Sequence, residues 1–203
     1  MSYSDRRFLL SVTGADCPGI VVAVTSALAE KGWNLEDATM SILRGYFTIM
    51  MIVSTGNEVD AASMRHVLEP VSSRMNLSVM VDPVQEEDGN GNAGSIPSGS
   101  EGPQRRRAMH VADELDPWSI YVHGSDRPGI VMAVASEIAR VGGNIVDLSA
   151  RVGGRKGDSV YVMTIKALIP TGEPSDAFQD QLSRLSSAEG IECSARLDTA
   201  YLL

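Results

Sequence analysis

Two short stretches hold the residue types best suited to binding chemistry. Asp16-Cys17-Pro18-Gly19-Ile20 returns 110 residues later as Asp126-Arg127-Pro128-Gly129-Ile130. Each is followed by an asparagine, Asn34 or Asn144, and then by an aspartate, Asp37 or Asp147. Pro-Gly ahead of an apolar run reads as a turn that opens a helix, because proline in a first turn gives up no hydrogen bond. The unpaired N–H groups and partial positive charge at such a helix start suit a carboxylate or another small anion. Gly19 and Gly129 have no side chain, so a ligand can approach the backbone closely. Asn34 and Asn144 offer a donor and an acceptor, and Asp37 and Asp147 can receive an ammonium. Together these groups suit a zwitterion, that is, a free amino acid. The same residues also have a plain structural reading. Asp16 and Asp126 can cap the helix, Pro-Gly can simply make the turn, and Asn34 and Asn144 can serve as residues that tolerate a left-handed backbone.

Other candidate chemistry is thin. Cys17 at a helix start is placed where a thiol becomes more acidic and more reactive, but no histidine is near it in sequence. The three histidines, His66, His110 and His123, form neither a zinc spacing nor a triad pattern. Gly153-Gly154-Arg155-Lys156-Gly157 lacks the spacing of a phosphate loop and joins two strand patterns, so it reads as a hairpin loop. No pair of carboxylates is fixed on one element in a way that argues acid–base catalysis. The expectation is a chain with no enzymatic activity, no metal and no cofactor.

The elements that must position these residues repeat as well. Between 14–37 and 124–147, 13 of 24 positions are identical without a gap. In the first copy Phe8, Leu10 and Val12 alternate as a strand, and Ile20, Val24 and Leu28 form a helical stripe that Gly32 ends. Leu35 to Ile42 and Tyr46 to Ser54 read as strands around a turn at Arg44-Gly45. Met64, Leu68, Val71 and Met75 mark a second helix capped by Asp60, and Leu77, Val79 and Val81 a last strand. The second copy repeats this order, with Ile130, Val134 and Ile138 in its first helix and Phe178, Leu182 and Leu185 in its second. A longer Gly-rich loop, Gly153 to Asp158, joins its middle strands. The implied fold is α+β: two tandem ferredoxin-like βαββαβ domains, each a four-stranded antiparallel sheet with two helices on one face. The expected boundaries are 7–83 and 117–199, with a flexible Gly/Ser/Asn-rich linker over 84–116. Phe47 to Val53 is apolar on both faces, which predicts that the copies pack on each other or on a second chain, with a homodimer expected.

Composition excludes several classes. The chain has 203 residues and a formal charge of −9, so it lacks the basic surface that direct nucleic-acid binding requires. Arg105-Arg106-Arg107 reads as a solvated basic patch beside an acidic run. No apolar run is long enough for a membrane span, and the N-terminal residues have no apolar secretory core. Cys17 and Cys193, 176 positions apart, make no disulfide framework. A cytoplasmic location is expected, with neither membrane nor nucleic acid as partner.

Asp-x-Pro-Gly-Ile-Val, followed by Gly-x-Asn-[Ile/Leu]-x-Asp, resembles the signature of ACT domains, βαββαβ modules that bind amino acids, typically at an interface between two modules. A chain of two such modules resembles the glycine cleavage system transcriptional repressor family. The resemblance implies ligand groups at Asp16, Pro18, Gly19, Ile20 and Asn34 in the first copy, and at Asp126, Pro128, Gly129, Ile130 and Asn144 in the second. Cys17 stands opposite Arg127 and Trp33 opposite Gly143, so the two sites should differ, with Arg127 making the second friendlier to anions. The implied function is a regulator that senses an amino acid, with glycine a candidate, and passes that state to a partner protein controlling transcription of glycine or one-carbon metabolism genes. A regulatory subunit conferring feedback control on a metabolic enzyme is the alternative.

Overall fold

The computed structural model describes residues 6–55, 59–84, 115–155, 158–171 and 175–198. The first copy runs β1 (Arg6–Ala15), α1 (Ile20–Ala29), β2 (Asn34–Leu43), β3 (Tyr46–Thr55), α2 (Ala61–Met75) and β4 (Ser78–Pro83). The second runs β5 (Leu115–Ser125), α3 (Ile130–Arg140), β6 (Asn144–Arg155), β7 (Asp158–Pro170), α4 (Ser175–Glu189) and β8 (Ile191–Leu197). Both copies are βαββαβ, as the hydrophobic patterning predicts. The expected linker and Arg105 to Arg107 lie almost wholly outside the described residues, as does His110.

The eight strands form one sheet in the order β4-β1-β3-β2-β6-β7-β5-β8. The halves join edge to edge through β2 and β6, which pair antiparallel as Ala38↔Ala150, Thr39↔Ser149, Met40↔Leu148 and Ser41↔Asp147. Thr39 and Ser149 are repeat equivalents, so an approximate two-fold axis passes between them. Alternation buries one face of each strand: Phe8, Leu10 and Val12 on β1, and Phe47, Ile49, Met51 and Val53 on β3, are at most 2% exposed. The helices cover that face, α1 packing on α3 at the centre with α2 and α4 outside. The prediction that β3 is covered on both faces is not met within the chain, where Met50 on the other face is 45% exposed. Edge pairing, rather than face packing, joins the copies because β2 and β6 each present a free row of backbone donors and acceptors.

Arg44 and Gly45 have φ of 53° and 80°, the doubly left-handed turn that matches strand twist in a tight hairpin. Its Gly45 carbonyl accepts from the Asp16 amide at 2.8 Å, which ties the hairpin to the start of the Pro-Gly turn. In the second copy the expected loop over Gly153 to Asp158 is largely strand, since pairing continues to Gly154↔Ser159 and Arg155↔Asp158. The hairpin is longer as a result. Gly14 pairs with Phe47 but Gly124 with Tyr161, so Tyr161 is the counterpart of Phe47.

Candidate functional site

The Pro-Gly turns fold as their sequence dictates, with one correction. Gly19 and Gly129 sit at the N-caps of α1 and α3 with φ of 89° and 94°, a backbone that L-residues resist. Their carbonyls accept the first helical bonds, from the amides of Ala23 and Ala133 at 2.9 Å. Neither helix has a side-chain cap, so Asp16 and Asp126 do not cap as one reading of the sequence expects. The cap position falls on the glycine, three residues past the aspartate, and glycine has no side chain to bond the first-turn N–H groups.

Both helices then end alike. Gly32 and Gly142 are left-handed at φ 70° and 73°. The amides of Trp33 and Gly143 reach back to the carbonyls of Leu28 and Ile138 at 3.1 and 2.9 Å, closing a Schellman motif. This fixes the direction in which Asn34 and Asn144 leave the helix. Among the described residues, the non-glycine positions with left-handed backbone are Arg44 and Asn76, so neither asparagine serves that backbone role.

The two asparagines instead cross the seam between the copies. Asn34 Nδ2 donates to both carboxylate oxygens of Asp126, at 3.0 and 3.1 Å. Asn144 Nδ2 donates to Asp16 Oδ2 at 3.1 Å. All four side chains are partly buried. The grouping by copy implied by the sequence is therefore exchanged, with each Pro-Gly turn facing the asparagine of the other repeat.

Two clefts follow from this arrangement, each with about 290 Å³ of space continuous with solvent. The first sets Arg127, Gly129 and Ile130 against Trp33 and Asn34, with Thr25 and Tyr161 in its wall. The second sets Asp16, Cys17, Gly19 and Ile20 against Gly143 and Asn144. Pro18 and Pro128 shape the two turns from outside these linings. The interior of each leaves room for no more than a water molecule or two.

The charges are distributed unevenly. Arg127 lines the first cleft, but its guanidinium is engaged by Glu189 at the end of α4, donating to the Oε2 at 2.6 Å and to the Glu189 carbonyl. Asp37 and Asp147 stand outside both linings. Asp37 is exposed, and Asp147 lies opposite Lys166 across β6 and β7. Burial raises the Asp147 carboxyl above its ordinary range, partly offset by Lys166. Tyr161 is 1% exposed, and its hydroxyl has no hydrogen-bond partner among the described residues. Burial, with the negative charges of Asp126 and then Asp37, pushes that hydroxyl well above its usual value, so it stays a neutral donor.

Tyr161 is a cleft-lining residue that the sequence reading misses. Its signal is faint: a tyrosine among apolar inward positions, out of register with the repeat until the longer hairpin is known. Among the described residues, no histidine lines the second cleft beside Cys17. His66 pairs with Glu69 and His123 with Glu192. Among the described residues no cluster fit to hold a metal occurs, and no helix is long and apolar enough to cross a membrane.

Fold and clefts together define a class: paired ferredoxin-like modules fused into one sheet, with twin clefts at their seam. The ACT domain family model matches residues 6–82. The UPF0237 protein of Streptococcus mutans is 34% identical over 75 residues, 37% of this chain and 85% of that protein. The chain belongs to the ACT domain family of regulatory modules. Among solved structures, the aspartate kinase of Synechocystis superposes with a TM-score of 0.52 at 13% identity, covering 93% of this chain and 28% of the kinase, a likeness of fold alone. A protein provisionally described as a glycine cleavage system transcriptional repressor matches over 96% of this chain and 98% of its own, at 18% identity and a TM-score of 0.38. Similarity at that level carries no argument about function.

Proposed function

We propose that the chain is a non-enzymatic amino-acid sensor that reports ligand occupancy at the seam between its two modules to a partner protein. The observation that carries this reading is the reciprocal pair of contacts, Asn34 to Asp126 and Asn144 to Asp16. Each sets an amide and a carboxylate beside an uncapped helix N-terminus, so both ends of a zwitterion find complementary groups. The interior admits an amino acid only where an Asn–Asp contact gives way, which favours the smallest, glycine first. A ligand that replaces an Asn–Asp contact changes how the two modules are held together. It can shift their arrangement only by its differential affinity for the two states.

The downstream partner in this reading is a transcription factor acting on glycine or one-carbon metabolism genes, reached by protein contact because the chain is acidic. A homodimer through the open sheet face, where Met50 and Met80 are 45% and 62% exposed, completes the proposal. Thermal unfolding against single amino acids at millimolar concentration tests it. One amino acid at about 100 times its dissociation constant is expected to add about 2.7 kcal/mol and raise the midpoint by several degrees. No shift with any of them overturns the sensing reading.

A further inference from the structure

The twin clefts are built from equivalent segments, yet one buried group distinguishes them. Tyr161 lines the first cleft, and its hydroxyl is buried with no hydrogen-bond partner among the described residues, where a hydroxyl that bonds nothing is costly to keep. Its counterpart Phe47 has the same ring in the same inward position, 2% exposed, with no such group. The ring alone therefore satisfies the packing of this position, and packing does not account for the oxygen. The same cleft is lined by Gly129 to Met132, in the first turn of α3, and by Asn34, whose amide is held on Asp126. A neutral donor beside a helix N-terminus suits a carboxylate, and Asp126 suits an ammonium once Asn34 lets it go. The second cleft has Cys17 and Gly143 where the first has Arg127 and Trp33, and its lining includes no tyrosine.

We propose that the first cleft alone takes the amino acid, one per chain, and that Tyr161 is its specificity-determining residue, donating its hydroxyl hydrogen to the ligand's carboxylate. The second cleft is then a fixed contact that holds the modules together. This rests on the amino-acid reading above.

Two measurements on the full chain test it. Without ligand, Y161F is expected to melt at or above the wild-type temperature, because it removes a donor that bonds nothing. A lower melting temperature means the hydroxyl has a partner inside the protein and overturns the proposal. Calorimetric titration with glycine, alanine and serine then reads stoichiometry and affinity. One site per chain and about a tenfold loss of affinity in Y161F are the expected results. Binding by wild type with two sites per chain, or equally tight binding by Y161F, overturns the division between clefts while leaving the sensing reading intact. Absence of binding by wild type, with no amino acid raising its melting temperature, overturns both.

Discussion

The two seam clefts share a backbone plan and differ in a handful of side chains. In each, a left-handed glycine opens a helix and an asparagine from the other repeat bonds the aspartate ahead of it. The first is walled by Trp33, 7% exposed, where the second has Gly143. At Gly143 a Cβ would meet the Ile138 carbonyl oxygen and Cγ2 at 2.9 Å, so the chain there runs too close to α3 for any side chain. Duplication copied the turn and the helix ending faithfully, whereas the residue after each helix diverged into wall in one cleft and close backbone contact in the other. Two sites of common origin thus acquired different constraints without any change of fold.

That contrast can be broken first at its largest element. Trp33→Ala is expected to cost about 3–5 kcal/mol, as removal of a buried tryptophan does, and Gly143→Ala about 1–3 kcal/mol from forced overpacking. Denaturant unfolding of both variants checks this. A Gly143→Ala chain as stable as wild type would show that the close approach is not a constraint. Next, Asn34→Ala removes two contacts to a partly buried carboxylate and is expected to cost about 1–2 kcal/mol, with Asn144→Ala, which removes one, costing less. Equal losses in the two variants would argue that the contacts are interchangeable.

The smallest effect concerns the paired aspartates. Asp147 has a raised pKa in the folded chain through burial, so the folded state holds that proton more tightly than the unfolded one. Its cost to stability is present at neutral pH and is relieved as pH falls through the folded value. Asp60 runs the other way. Hydrogen bonds from Ser63 at the α2 N-cap lower its pKa, so its contribution is present above the unfolded value of 3.8 and is lost as pH falls through the folded one. Asp147→Asn is therefore expected to raise the melting temperature slightly near neutral pH and not at acid pH, while Asp37→Asn, at an exposed position, changes little at either. Melting curves across the acid range separate the two.

Much of this protein is legible in its residue order because the forces involved are local. Strand alternation, helical stripes, the left-handed Gly32 and Gly142, the Arg44-Gly45 turn and the Asp60 cap follow from side-chain period and backbone sterics within a few residues. The repeat likewise locates the Pro-Gly turns and the asparagines beyond them. What those groups face is set by contacts between residues about 90 to 130 positions apart, which no local preference encodes. Edge pairing of β2 with β6 decided that each asparagine reaches the other repeat's aspartate, while packing inside the second module turned Arg127 to Glu189 at the end of α4. The longer β6–β7 hairpin decided that Tyr161 takes the place of Phe47. Its effect on the site depends on strand register, a property of the assembled sheet rather than of any one segment.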